Sequence, residues 1–212
     1  MGTKLSYLEA EIVNSITHAL GIIFGFIFIP SLISHSAHQG TTAQLIGVGI
    51  YGFCYVSTFT LSTLYHASKR QRLKKRLELL DHISIYFLIA ATYTPFVVHY
   101  MNNSTGVVFL SVVWFMVLTG IVYKLFYLNR FILMSVFTYI CMSFVFLFFR
   151  KSFFENMPPE VVSLLYTGIV LYLLGVIFFL WQKLKHHHAL WHLFVLAGSI
   201  CHYQAVWLSV TA

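Results

Sequence analysis

The sequence predicts an all-α integral membrane protein, a bundle of seven transmembrane helices, and three observations predict it. Of its 212 residues 59% are hydrophobic and 9% charged, where a soluble domain carries about a quarter charged residues. The apolar residues fall into seven stretches, each near the roughly 17 to 25 residues that cross about 30 Å of hydrocarbon. Lysine and arginine collect between the stretches. The formal net charge of +7 therefore records where those cations are parked, and with no basic stripe interleaved with stacking aromatics, nucleic acid is not an expected partner.

The first stretch, 14–34, follows Glu9 and Glu11, where a cleaved signal peptide would carry cations, so it is expected to stay attached. Polar residues from His35 to Thr42 separate it from the second, 43–66, which runs into the basic segment Lys69 to Arg76. The third, 80–99, is closed by Asn102-Asn103-Ser104, and the fourth, 106–125, by Asn129-Arg130. The fifth, 131–149, ends at Arg150-Lys151, ahead of Met157-Pro158-Pro159. The sixth, 160–182, and seventh, 189–210, are divided by Lys183 to His187. No linker is long enough to separate domains, so residues 1–212 are expected to form one seven-helix domain. Cys54, Cys141 and Cys201 are odd in number and embedded in apolar runs, which reads as small apolar filler.

An odd number of spans puts the termini on opposite sides. Lys4, the run Lys69 to Arg76, Lys124, Arg130, Lys183 and Lys185 place eleven of the thirteen Lys and Arg on one side, against Arg150 and Lys151. The positive-inside rule makes that side, and the N-terminus, cytoplasmic. Helix ends distant in sequence then meet at one depth: Asn14 and His18, His66, Asp81, and the pair His188 and His192.

His188-Ala-Leu-Trp-His192 sends two imidazoles from one side of a helix, since four residues turn through about 400°. His66 ends the second stretch at matching depth, so these three histidines are the candidate metal ligands. Zn²⁺ in catalytic sites commonly takes three protein ligands and leaves one position open. Asp81 is the candidate for orienting a water or taking its proton, or for holding an imidazole N–H; Ser62, one turn before His66, is a candidate to hold Asp81 or polarise a carbonyl. The ordinary alternatives are interhelical hydrogen bonding for each histidine and a salt bridge with the basic loop for Asp81. Asn14 and His18 read as packing or supporting groups. His202 lies ten residues beyond His192, about 15 Å deeper, too far to share an ion. His186 and His187 leave the helix in other directions; His35, His38 and His99 belong to the opposite face and are expected to meet water. Lys124 is expected to snorkel to the headgroups.

Taken in order, Glu11-Ile-Val-Asn14-Ser15-Ile-Thr-His18-Ala-Leu-Gly21, Ser62-Thr-Leu-Tyr-His66, Asp81-His82, Ala-Thr-Tyr93-Thr-Pro95-Phe, His188-Ala-Leu-Trp-His192-Leu-Phe-Val and His202 resemble the bacterial hemolysin III proteins, including the membrane homeostasis protein of that group, within the progestin and adipoQ receptor family. The resemblance implies seven helices, a cytoplasmic N-terminus and zinc near the cytoplasmic face, with the three ligands falling on His66, His188 and His192 and the family's serine and aspartate on Ser62 and Asp81. It also implies a lipid chemistry, since the adiponectin receptors are associated with ceramide hydrolysis and the wider superfamily includes alkaline ceramidases. The short segment ahead of the first stretch gives no ground for the receptors' hormone partner.

The expected function is thus a zinc-dependent intramembrane hydrolase of a lipid amide or ester in the bacterial cytoplasmic membrane, acting on membrane lipids, releasing a fatty acid and affecting lipid homeostasis. The alternatives are a membrane-state sensor with a structural zinc, and a cytolysin. Oligomeric state is not legible.

Overall fold

The computed structural model describes residues 2–128 and 130–211, with side chains from residue 7 onward; the Lys4 side chain and Asn129, used above for orientation and punctuation, lie outside the described residues. The chain is helical throughout, in the order α1 (Gly2–Gln39), α2 (Thr42–Ala67), α3 (Gln71–Tyr100), α4 (Ser104–Tyr127), α5 (Ile132–Ser143), a 3₁₀ segment (Val145–Phe149), α6 (Arg150–Phe154), α7 (Pro159–Leu180) and α8 (His187–Thr211). Among the described residues seven spans are long and apolar enough to cross a membrane, the fifth being the composite Ile132–Phe154. The molecule is a seven-helix integral membrane bundle.

Several helices outrun the apolar stretches, because backbone hydrogen bonding continues into water where hydropathy stops. Thus α1 extends to Gln39 and α3 begins at Gln71, inside the basic segment. The boundaries are set by caps. Thr41 and Gln44 form a reciprocal capping box that starts α2, and Asn103 Oδ1 accepts from Gly106 N at 3.0 Å to start α4. Pro159 opens α7, where its missing N–H would lack a partner in any case.

The fifth span is not the continuous helix that hydropathy suggests. It stops at Ser143, whose carbonyl accepts from the Tyr93 hydroxyl at 2.5 Å, while Ser143 Oγ donates back to Tyr139 O at 2.9 Å. A buried tyrosine thus takes the carbonyl that an α-helical N–H four residues on would use, and the chain tightens into the 3₁₀ segment.

The first, second, third and fourth spans pack in sequence, α8 closes against α1, and α7 packs along α8. Helix α3 is the most buried span and also reaches α8 and α5. The α7–α8 crossing is close: a Cβ placed on Gly198 would lie 3.0 Å from the Gly168 carbonyl oxygen, so any side chain there would press the two helices apart by a few tenths of an ångström. Hydroxyls inside the bundle turn back on their own helices, as Thr58 to Cys54 O, Thr92 to Leu88 O and Thr94 to Ala90 O. This satisfies donors that hydrocarbon cannot. The core is strongly aromatic, with Tyr51, Tyr55, Phe59, Tyr86, Phe96 and Phe109 fully buried. The fifth span touches α3 and α4 only lightly and meets α7 through Phe146 and Phe154, whose rings pack against Tyr166.

Candidate metal centre

The inward face of each helix carries the site. On α1 the buried positions Asn14, His18, Gly21, Gly25, Ile29, Leu32 and Ser36 repeat every three or four residues, so Asn14 and His18 point to the bundle axis. Helix α2 delivers Ser62 and, in its last turn, His66; the turn is closed by Ser68 N–H donating to Leu64 and Tyr65 carbonyls. Helix α8 begins at His187 and presents His188 and His192 one turn apart, ring centroids 4.5 Å from each other.

His66, His188 and His192 come together, as the sequence suggested. One ligand atom from each lies within 4.8 Å of the other two, and they form a group of three potential donors. The His66 and His192 Nε2 atoms are 3.0 Å apart, close to the spacing of about 3.3 Å for two nitrogens each bonded at 2.0–2.1 Å to one tetrahedral ion. His66 and His192 are buried, and His188 is half-buried. Two imidazole nitrogens facing each other in an apolar interior repel unless a proton or a cation lies between them. The donor set is therefore one that fits a metal ion, and imidazole suits several first-row dications.

Glu11 supports this set, and the sequence reading gave it no such role. Its Oε2 accepts from His66 Nδ1 at 3.3 Å and also pairs with the Lys74 ammonium. Lys74 in turn donates to Tyr65 O at 3.3 Å and stands 4.8 Å over the Tyr65 ring. The carboxylate fixes the Nδ1–H tautomer of His66, which leaves Nε2 as the lone pair facing His192. The signal was present, since Glu11, Asn14 and His18 share one helical face. Glu11→Gln is expected to weaken metal binding about 10- to 100-fold with the fold intact, as measured by competition with a chromophoric chelator and by unchanged helical circular dichroism.

Ser62 and Asp81 stand beside the histidines. Ser62 is fully buried, with its hydroxyl turned toward Asp81. Asp81 stands beside the Ser62 hydroxyl, His66 and His82, and it is not among the three grouped donors. Both face a cavity of about 330 Å³ that His18, His188 and His192 also line. From this polar end the cavity runs between α3, the fifth span, α7 and α8, past Leu88, Ile140, Phe153, Leu165 and Val176, to Tyr172 and His202. Its volume falls at the small end of ligand pockets, and its walls are mostly apolar.

Other polar residues divide between expectation and correction. His202 bonds elsewhere, Nε2 to Leu165 O at 3.2 Å. His35 does not simply meet water: its Nε2 lies 3.1 Å from Val210 O, tying α1 to α8, and His99 Nδ1 lies 2.7 Å from Gln44 Nε2. Lys124 does not snorkel. It is 1% exposed, lines the cavity, and has its ammonium 5.8 Å over the Tyr139 ring. The reason is its register: Gly106, Phe109, Val113, Val117, Gly120 and Lys124 form one inward stripe on α4, and Lys124 is its last member.

Comparison with known proteins shows the family. The profile of the family described as "Haemolysin-III related" matches residues 6–203. "Hemolysin-3" of Bacillus cereus is 38% identical over 199 residues, covering 94% of this chain and 91% of that protein. "Hemolysin-3 homolog" of Bacillus subtilis (strain 168) is 38% identical over 192 residues, 91% of this chain and 90% of that one. A more distant relative, "Monocyte to macrophage differentiation factor" of Homo sapiens, is 27% identical over 203 residues, 92% and 82% of the two chains. The match runs through every helix that contributes a histidine, serine or carboxylate to the site, and the chain belongs to the haemolysin-III related family.

Proposed function

We propose that this protein is an intramembrane hydrolase of a lipid amide or ester, dependent on Zn²⁺ held by His66, His188 and His192, and that it acts on membrane lipid composition from the bacterial cytoplasmic membrane, with the site near the cytoplasmic face. The observation that carries this reading is the continuity of the three-histidine group with a mostly apolar cavity that has Ser62 and Asp81 at its polar end. A divalent ion on three imidazoles, when bound, polarises a carbonyl and lowers the pKa of a coordinated water to about 7. Asp81 lies outside the group of donors, which suits a carboxylate that orients the attacking water and takes its proton better than one that closes the coordination shell. Ser62, buried beside Asp81, can hold that carboxylate or hydrogen-bond the carbonyl oxygen. The apolar arm of the cavity accepts an acyl chain.

Two other readings stand behind this one. A structural ion that only ties α2 to α8 in a membrane sensor is favoured by the direct His66–His192 approach, but it leaves the cavity, with Ser62 and Asp81 at its polar end, without a use. The name of the Bacillus cereus relative points to haemolysis; a bundle with an apolar circumference does not readily cross water into a second membrane. The reading is tested with purified protein in phospholipid nanodiscs and fluorescent fatty-acyl amides and esters. Turnover is expected, with loss on stripping by a strong chelator and recovery on adding back about one equivalent of Zn²⁺. Turnover that survives complete stripping refutes it, as does its absence across both substrate classes.

A further inference from the structure

A fourth imidazole belongs to this site by position and has no task yet. His18 of α1 is 4% exposed, and neither of its ring nitrogens has a hydrogen-bond partner among the described residues. Its ring centroid lies 3.7 Å from that of His192, tilted by 55°, and the edge of Phe59 packs against it at 5.0 Å. A neutral imidazole carries one N–H donor and one lone pair. Burying both unpaired in a membrane interior is unfavourable, and buried polar groups in native proteins are almost always satisfied by something.

Two observations narrow what that something is. His18 is not one of the three donors grouped within 4.8 Å, so it stands beside the ion's position instead of completing its shell. It does line the cavity, with Ser62, Asp81, His188 and His192. Phe59 and the Gly21 position, where any Cβ would collide with the Phe59 ring, hold this stretch of α1 close against α2. The ring is fixed at the polar end of an apolar pocket, where a hydrogen-bonding group on an otherwise greasy ligand must lie.

We propose that His18 is the substrate-binding donor of this site: its neutral N–H hydrogen-bonds the carbonyl or carboxylate oxygen of the acyl group that enters the cavity. The inference rests on the metal-dependent reading above and adds to it a lipid-binding residue from α1. His18 thereby selects ligands whose oxygen-bearing carbon is held next to the ion, with the hydrocarbon tail directed toward Phe153 and Leu165. The Asn14 side chain, one turn earlier on the same face, leaves this donor role to His18, since Asn14 does not line the cavity.

The test uses full-length protein in detergent, loaded with Co²⁺ as a spectroscopic substitute, and octanohydroxamate as the probe, an eight-carbon acyl group with a metal-seeking oxygen head. His18→Phe keeps the ring's bulk and removes both nitrogens; His18→Gln restores a donor. His18→Phe is expected to retain one Co²⁺ with an unchanged visible band and to bind octanohydroxamate about 10- to 100-fold more weakly, and His18→Gln to recover most of that loss. In the wild type, the ring ¹⁵N resonance of His18 is expected to move on adding the probe, a measurement that stands even if His18→Phe does not fold. Wild-type affinity in His18→Phe, or an unmoved ¹⁵N resonance, overturns the assignment and leaves the hydrolase reading standing. A Co²⁺ band that is lost or shifted in His18→Phe overturns it differently, by making His18 a ligand. Wild-type protein that takes Co²⁺ but not the hydroxamate sinks the hydrolase reading itself, and this inference with it.

Discussion

His192→Ala is expected to strip the protein of its metal. His192 is 2% exposed, its Nε2 faces that of His66 at 3.0 Å, and its ring lies 4.5 Å from His188 and 5.0 Å from His66, so it is the most deeply buried member of a group whose three rings all meet. A zinc site of this kind draws on about 10–16 kcal/mol of apparent binding free energy at neutral pH, and one ligand of three or four carries on the order of 3–4 kcal/mol of it. Removal should therefore weaken binding by about 10²- to 10³-fold. Protein purified without added metal and analysed by inductively coupled plasma mass spectrometry is expected to contain about one zinc per chain in the wild type and almost none in His192→Ala. Retention of the full equivalent by the variant would move the ion to some other place. His192→Ala also leaves a cavity where an imidazole packed against His18, so a fall in melting temperature is expected beside the metal loss; His192→Gln, which fills more of that space, separates the two effects.

The second large effect is expected at Asp81. It stands beside Ser62, His66 and His82, yet it is outside the group of donors. If it accepts the proton of the attacking water, Asp81→Asn keeps the shape, keeps the metal and lowers turnover by about 10²- to 10⁴-fold, the usual range for a general base. Metal content and the rate on a fluorescent acyl amide, measured on one preparation, decide the matter. Full metal with little turnover supports the assignment; loss of metal makes Asp81 a ligand and favours a structural ion. Asn retains an oxygen acceptor for the Ser62 hydroxyl, so a loss of rate reflects the missing negative charge more than a missing hydrogen bond.

Much of this was legible in the chain, and for physical reasons. A span in hydrocarbon must be helical and about twenty residues long, so hydropathy alone gives the number and order of the spans. The i, i+4 spacing of His188 and His192 reports a shared helix face, and placing His66 at their depth needed only the alternation of spans. Less visible was anything fixed by contacts between spans. The end of α5 at Ser143 is decided by the Tyr93 hydroxyl, fifty positions earlier in the sequence. Glu11 supports His66 through a pair that no local pattern specifies. Lys124 is the instructive miss: the three- and four-residue spacing from Gly106 onward marks it as inward-facing, but its position at the end of an apolar stretch suggested the headgroup region more strongly. In a membrane bundle the helical register of a charged residue can outweigh its depth.

The two nitrogens that approach most closely belong to residues 126 positions apart, one near the end of the second span and one at the start of the last. During biosynthesis His66 is therefore in the bilayer long before His192 leaves the ribosome. No partial chain holds the complete set of donors, so on the metal-dependent reading proposed above the ion is captured late, and truncation ahead of the last span, or its failure to insert, leaves a polypeptide without the facing imidazoles that would hold it.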